Sequence, residues 1–561
     1  MFRYVSPKVV VVVAALVAVV CAHSVWSADN AGSLQGAVKN SSGAPVSGAF
    51  VKVSSAERRV HLMVVSQDQG RYTVSNLPPG KYTAQGIGNG LQSEPSAPVD
   101  VAAGRAATVD VVLSAPQAMR KPKGKPRVDA AETGNAPPLP EGEGKNIIEG
   151  RCIPCHNSQR VSSQHHDRAR WQATLEQMRL YMRGLSGPGD LTDPQAEVLL
   201  DYVTKNFGPV AGGNGGEGAG RAKEKADPNS HLSRTPLQGA AAKYVAVEYL
   251  LETPQAEPHD ITVDSKGIAW ISERTTGHIA RFDPDTFAYT RIPLPPGAVD
   301  SSKSRLNAIQ ADSRDRLWVS DGAPNRRLVV YDSKAGEFNI FDAPKASMGT
   351  STGNTIRISK DGMVWMTAIS NNQIWRLDPA TKKFTTYDVP SGVKAKVSAR
   401  PYGMAASGDG KLWFAQNSYD LIGRVDPATG KVEEFEVPAK GSDPRRMGTD
   451  AEGNPWLGLF GVCKLVKIDY RTAKMTLYSP PTPDCGAYSV SVDLKRNLIW
   501  VSEQWTGKLA RFDPRTETFV EFDLPTPEAD VRRIEVDQNR PNRVWWSGSA
   551  SNNIGYVEVM D

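Results

Sequence analysis

The chain has 561 residues, with 66 Lys and Arg against 61 Asp and Glu and a formal net charge of +5. That length exceeds what one hydrophobic core accommodates and sets an expectation of several domains. So small a net charge argues against a nucleic-acid partner, and much of the local excess sits in one run, Arg120-Lys121-Pro122-Lys123-Gly124-Lys125-Pro126-Arg127, which reads as a solvated linker.

In chain order, Arg3 and Lys8 stand before an apolar run from Val9 to Val20, and small residues follow between Ser24 and Ala28. This pattern predicts a secretory signal over residues 1–28 and a periplasmic or secreted mature protein. The run is shorter than the ~20 apolar residues needed to cross a bilayer, so no stable membrane span is expected after cleavage. Cys21 leaves with the signal, and Val20 before it argues against a lipid anchor.

Residues 29–115 carry short alternating strands between Gly, Asn and Pro clusters, as in Leu34-Gln35-Gly36-Ala37-Val38 and Gly48-Ala49-Phe50-Val51-Lys52-Val53. Period-2 alternation of this kind predicts a β-sandwich. Gly70-Arg71-Tyr72-Thr73-Val74 with Leu77-Pro78-Pro79-Gly80-Lys81-Tyr82-Thr83 resembles the carboxypeptidase regulatory-like domain, which implies an accessory module without catalysis. Residues 116–142 form a basic, Pro-rich linker and residues 210–239 a Gly-rich one. Between them, residues 143–209 show helical patterning: Trp171, Leu175, Met178 and Met182 share one face, and Asp193-Pro194 opens a helix. A small all-α domain is expected there.

That domain begins with Cys152-Ile153-Pro154-Cys155-His156. Two cysteines three apart form thioethers to one porphyrin and hold the adjacent His beneath the iron, so the motif predicts one covalent haem c on Cys152 and Cys155 with His156 as axial ligand. Arg168-Ala169-Arg170-Trp171, Met178, Asp201-Tyr202-Val203 and Phe207-Gly208 resemble small cytochrome c domains attached to or partnered with periplasmic dehydrogenases. The resemblance implies Met178 as the second axial ligand, with Met182, His165 and His166 as the alternatives, and a role in electron transfer.

From residue 240 to 561 the chain repeats. Trp270, Trp318, Trp365, Trp413, Trp456, Trp500 and Trp545 recur in one local context at spacings of 43 to 48, and Asp283, Asp332, Asp378, Asp426, Asp469 and Asp513 mark a later strand. Four strands per unit, seven times, predict a seven-bladed β-propeller. The last unit runs out after its third strand while an extra strand, 244–253, precedes the first; it is expected to complete blade seven. The fold class is therefore multidomain and mainly β: sandwich, small helical domain, propeller.

The units, such as Pro258-His259-Asp260-Ile261-Thr262-Val263-Asp264 followed by Ile268-Ala269-Trp270-Ile271-Ser272-Glu273, resemble those of streptogramin (virginiamycin B) lyase. Aligning the units on the inner strand gives one polar position per blade: His259, Asn307, Asn354, Tyr402, Arg445, Tyr488 and Arg532. These are expected to ring one mouth of the channel and to take an anionic or oxygen-rich ligand. The resemblance implies a Mg2+ site at His259 and Glu273, which keep the lyase spacing. The position of the lyase's general base is held by Arg532, which stays protonated. Cys463 and Cys485 remain; in an oxidising compartment they are expected as a disulfide, with two free thiols the alternative.

The reading that follows is an extracytoplasmic electron-transfer haem protein whose propeller binds a small-molecule substrate or a redox partner protein, one version making it a dehydrogenase that feeds the haem. A metal-dependent lyase with an appended cytochrome and a non-catalytic scaffold are the alternatives.

Overall fold

The computed structural model describes residues 31–118, 139–149, 166–169, 191–208 and 227–560, with 161, 171–172, 174–175 and 179 besides; within the last stretch 255, 297–303, 323–324, 345–352, 396–397, 418 and 528 are outside it. The expected signal segment, Cys152, Cys155, His156 and Met178 lie outside the described residues.

The N-terminal domain is a sandwich of two sheets. In one, Gly32–Asn40 pairs antiparallel with Arg71–Leu77 and parallel with Ala106–Thr108 and Val111–Leu113. In the other, Phe50–Ser55 lies between Val60–Val65 and Gly80–Gly88. Alternate residues of these strands, among them Leu34, Val51, Val53, Tyr72, Val74 and Tyr82, turn inward to form the core. The tyrosines keep their hydroxyls satisfied: Tyr72 donates to the Val109 carbonyl at 2.6 Å and Tyr82 to Pro78 at 2.7 Å. At Gly36 the backbones approach so closely that a Cβ would lie 1.8 Å from the Val109 oxygen, which only glycine tolerates.

The C-terminal region contains seven four-stranded antiparallel arrays whose inner strands are neighbours in a closed ring, from Pro258–Val263 round to Val531–Val536 and back. Blade seven is completed by Tyr244–Leu250, which pairs along its full length with Asn553–Val559. The repeated residues have local causes. Six residues before the blade-one tryptophan, Asp264 accepts from the amides of Lys266 and Ile268 to close the first turn, and its other oxygen takes the Trp270 indole N–H at 2.9 Å. Asp312, Ser359, Ser407 and Asp450 meet Trp318, Trp365, Trp413 and Trp456 in the same way. In blades six and seven the turn is longer, Asp493 and Asp537 accept from its amides, Asp493 also accepts from the Arg496 guanidinium, and the Trp500 and Trp545 indoles have no such partner among the described residues. The later Asp of the first six units caps the outer hairpin, as Asp378 does for the amides of Ala380 and Thr381.

Sandwich and propeller are one sheet at their junction. Tyr244–Leu250 turns its second edge to the sandwich strand Val60–Val65, in register from Val245 opposite Val64 to Tyr249 opposite Val60. A closing strand that would otherwise present bare N–H and C=O groups is thus covered. Arg59 adds two guanidinium hydrogen bonds, to the Leu250 and Leu251 carbonyls.

Residues 227–239, expected as the end of a flexible linker, are instead a packed wedge in this junction. Asn229 takes the Lys52 ammonium on its side-chain oxygen, its carbonyl and that of Leu232 accept from Gln117, and His231 bonds the Leu524 carbonyl at 2.8 Å. Polar groups here find partners on both domains, so the segment gains contacts that a solvated chain lacks.

The helical region is small. Asp193–Asn206 starts at a capping box, Thr192 with Gln195, and buries Leu199, Leu200, Tyr202 and Val203. Trp171, Ile147, Ile148 and Phe207 pack on it, and the Trp171 indole donates to the Phe207 carbonyl at 3.0 Å. No described helix is long and apolar enough to cross a membrane.

Candidate functional site

Six of the seven inner strands enter the channel through the same device. Ladder registers shift between Pro258 and Asp260, Leu306 and Ile309, Pro401 and Met404, Pro444 and Met447, Ala487 and Val490, and Val531 and Arg533. These irregularities enclose His259, Asn307, Tyr402, Arg445, Tyr488 and Arg532, one per blade. Two residues earlier in five of these blades the backbone is left-handed, at Glu257, Arg400, Asp443, Gly486 and Asp530. A left-handed residue followed by a bulge re-aims the next side chain out of the sheet. Asn354 of blade three precedes its shorter strand, Ile356–Ile358, and donates its amide to Thr367.

The amide released by the bulge is recovered by a hydroxyl two residues after the blade tryptophan. Ser272 accepts from Asp260, Ser320 from Ala308, Thr367 from Thr355 and Ser502 from Ser489. The Trp-x-Ser/Thr spacing is the signal for this role, which the sequence reading left unused.

The mouth is not an open polar ring, because its side chains meet across the lumen. Tyr402 of blade four and Tyr488 of blade six join hydroxyl to hydroxyl, both buried. Arg445, between them in sequence and in the ring, lies 5.4 Å above the Tyr402 ring, 5.3 Å above Tyr488 and 4.7 Å above Phe460. The neighbouring Arg446 reaches Asp260 of blade one through two hydrogen bonds of 2.8 and 2.9 Å. Asp443 holds Arg445 at 2.6 Å and Asp530 holds Arg532 at 2.7 Å. Phe460 and Trp505, with centroids 4.3 Å apart, form an aromatic wall beside Arg445. Arg446, Asp260, Phe460 and Trp505 were not read from the sequence, since none occupies the aligned position.

The electrostatics follow from burial and these charges. Burial alone would push the Tyr402 phenol up; the guanidiniums of Arg446, Arg445 and Arg532 and the Tyr488 hydrogen bond bring it down to about 8. Tyr488 moves up, by burial and by the charge that Tyr402 then carries. Burial lowers His259 to about 4, against the pull of Asp260. Its neutral ring lies with Nδ1 at 2.7 Å from the Asn307 carbonyl and 3.0 Å from Asp260, so the Nδ1–H tautomer is the one both acceptors require.

Deeper in the channel a second tier spans the lumen. Arg357 of blade three donates to the Met447 carbonyl of blade five at 2.9 Å. Arg533 of blade seven bridges Gln310 and Glu535, and Glu535 accepts from Thr262 of blade one.

The magnesium pair implied by resemblance does not fit. Glu273, fully buried, has both oxygens committed: Arg291 donates to them at 2.7 to 3.1 Å, Tyr289 at 2.6 Å, and Thr276 completes the set. A carboxylate neutralised by a guanidinium and a phenol offers little to a hard cation. In the Nδ1–H tautomer His259 keeps Nε2 unprotonated, so the misfit lies at Glu273. Among the described residues no three His, Cys, Asp or Glu stand together as a metal ion requires. Cys463 and Cys485 are disulfide-bonded, with Cα atoms 5.3 Å apart.

Comparisons with known proteins agree with this architecture. The pattern of the virginiamycin B lyase family matches residues 294–561, and that of the carboxypeptidase regulatory-like domain matches residues 33–114. A streptogramin B lyase structure is 22% identical, with a TM-score of 0.50, over 57% of this chain and 100% of its own. The selenomethionine-substituted virginiamycin B lyase from Staphylococcus aureus is 21% identical, with a TM-score of 0.49, over 56% of this chain and 98% of its own. No curated protein sequence matches the chain. At these identities the likeness is one of fold: a lyase-like propeller joined to a carboxypeptidase regulatory-like sandwich.

Proposed function

We propose that this chain, built on a lyase-like propeller, is an exported c-type haem protein that transfers single electrons, and that the propeller mouth binds a substrate or redox partner. The observation that carries the reading is Cys152-Ile153-Pro154-Cys155-His156. Its donor set fits the group: two thiols for the thioethers, and one imidazole for the iron. Trp171, Leu199, Val203 and Phe207 supply an apolar core close by in sequence. Cys152, Cys155, His156 and Met178 would hold the haem, which when bound would supply one-electron chemistry. Export is supported by the apolar run 9–20 and by the Cys463–Cys485 bond.

The test is a denaturing gel stained for haem, run on the full chain and on Cys152→Ala with Cys155→Ala. Wild type is expected to stain and the double variant not to; stain retained in the variant overturns the proposal. Met178→Ala is expected to remove the weak sulfur-to-iron band of the oxidised spectrum, and an unchanged band moves the ligand to Met182 or a histidine.

A metal-dependent lyase is the second reading, favoured by the family pattern over residues 294–561. The Arg291 and Tyr289 contacts of Glu273 and the presence of Arg532 weigh against it.

A further inference from the structure

Tyr402 and Tyr488 come from blades on either side of the one that carries Arg445 and Arg446. Their hydroxyls touch, so one proton lies between two oxygens. The charged groups facing the pair are Arg445 and Arg446 from blade five and Arg532 from blade seven, with Asp443, Asp530 and, beyond Arg446, Asp260, while the titratable but neutral His259 lies next to Asp260. Two of the guanidiniums keep a buried donor in reserve: Arg445 Nε and Arg446 Nε have no hydrogen-bond partner among the described residues. A buried N–H of a cation without an acceptor is costly, and an oxyanion at the mouth relieves that cost.

We propose that Tyr402, Tyr488, Arg445, Arg446 and Arg532 form a proton-linked site for a small aromatic carboxylate. The cluster accommodates one further negative charge. Above about pH 8 the Tyr402 phenolate supplies it in the ligand-free protein; when a carboxylate binds there, Tyr402 takes a proton from solvent and, as a phenol, donates a hydrogen bond to the ligand. Each carboxylate bound above the Tyr402 midpoint therefore brings in one proton, and no bond other than that O–H forms or breaks. The planar fork of a guanidinium matches a carboxylate. Phe460 and Trp505 offer an apolar wall next to Arg445 for the ligand's ring. The wall is held close by Gly486, where a Cβ would lie 2.7 Å from the Trp505 ring.

The inference deepens the proposal of a ligand-binding mouth and rests on it. The acidity of Tyr402, near 8, sets the pH range of the effect. Two measurements on the full chain separate the possibilities. Calorimetric titration with benzoate, in two buffers of different ionisation heat, is expected to show uptake of about one proton per ligand at pH 9 and almost none at pH 7. Affinity is expected to fall about tenfold per pH unit above 8. In Tyr402→Phe the uptake and the pH dependence disappear together. Carbon-13 resonances of ring-labelled tyrosine are expected to show one phenol ionising near pH 8, lost in Tyr402→Phe and moved to higher pH by benzoate. Benzoate binding that is pH-independent and unaltered in Tyr402→Phe would overturn the proton linkage while leaving a ligand-binding mouth. A phenol that titrates near pH 8 with no benzoate binding at millimolar concentration overturns the carboxylate assignment. The absence of any phenol ionising below pH 9 overturns the inference outright.

Discussion

Arg446 of blade five crosses the channel to Asp260 of blade one, 186 residues away in sequence, and neither side chain is exposed. The pair staples opposite sides of the ring beneath the mouth. Burial would raise the Asp260 carboxyl, but Arg446 and His259 hold it down at about 2.

Removing one partner leaves the other charge buried alone, which commonly costs about 3–5 kcal/mol. Asp260→Asn is expected to lower stability by that order in denaturant titrations. Asp260→Asn combined with Arg446→Met is expected to lose much less than the sum of the single changes, because no unpaired charge remains. The depressed carboxyl also sets a direction with pH: its contribution is present above pH ~4 and is lost as pH falls toward 2.

Glu248, at the junction of sandwich and propeller, behaves in the opposite sense. It is fully buried, accepts from the amide and hydroxyl of Thr526, and burial raises it from 4.5 to about 7 despite Lys52. A carboxyl that stays protonated in the folded chain stabilises most below pH 4.5, and that benefit is lost as pH rises to about 7, by roughly 3 kcal/mol. Glu248→Gln is expected to flatten this part of the stability profile. A slope between pH 5 and 7 unchanged in the variant would assign it to other groups.

The Cys463–Cys485 bond closes a segment of 22 residues between blades five and six. Constraint of the unfolded chain by a loop of this size is worth about 3 kcal/mol. Cys463→Ser with Cys485→Ser is expected to lose about that much. The Trp505 amide donates to the Cys485 carbonyl at 3.1 Å, so the change is also expected to loosen the aromatic wall, read as increased quenching of tryptophan fluorescence. Peptide mapping without reduction checks the bond directly.

Glu273 is expected to act as a structural clamp. Glu273→Ala leaves Arg291 and the Tyr289 hydroxyl without their acceptor and is expected to cost about 1–3 kcal/mol. Magnesium at millimolar concentration is expected neither to raise the melting temperature of the full chain nor to promote opening of a type B streptogramin. Magnesium-dependent ring opening that disappears in His259→Ala would restore the lyase reading.

The repeat was legible in the sequence because each blade is local. The tryptophan, the Asp or Ser six residues before it and the Asp of the outer hairpin act within one turn of their own unit, as Trp270 with Asp264 shows. The alternation of the sandwich strands and the unpaired strand 244–253 were legible for the same reason. What the tertiary structure decided lies between units. Tyr402 meets Tyr488 across 86 residues, and Arg446 meets Asp260 across 186. Val60–Val65 joins Tyr244–Leu250 to turn two domains into one sheet, although a long basic linker and a helical region separate them in the chain. A channel side chain's chemistry depends on which charges ring closure brings to face it, and those charges are distributed over blades whose order in space no single repeat contains.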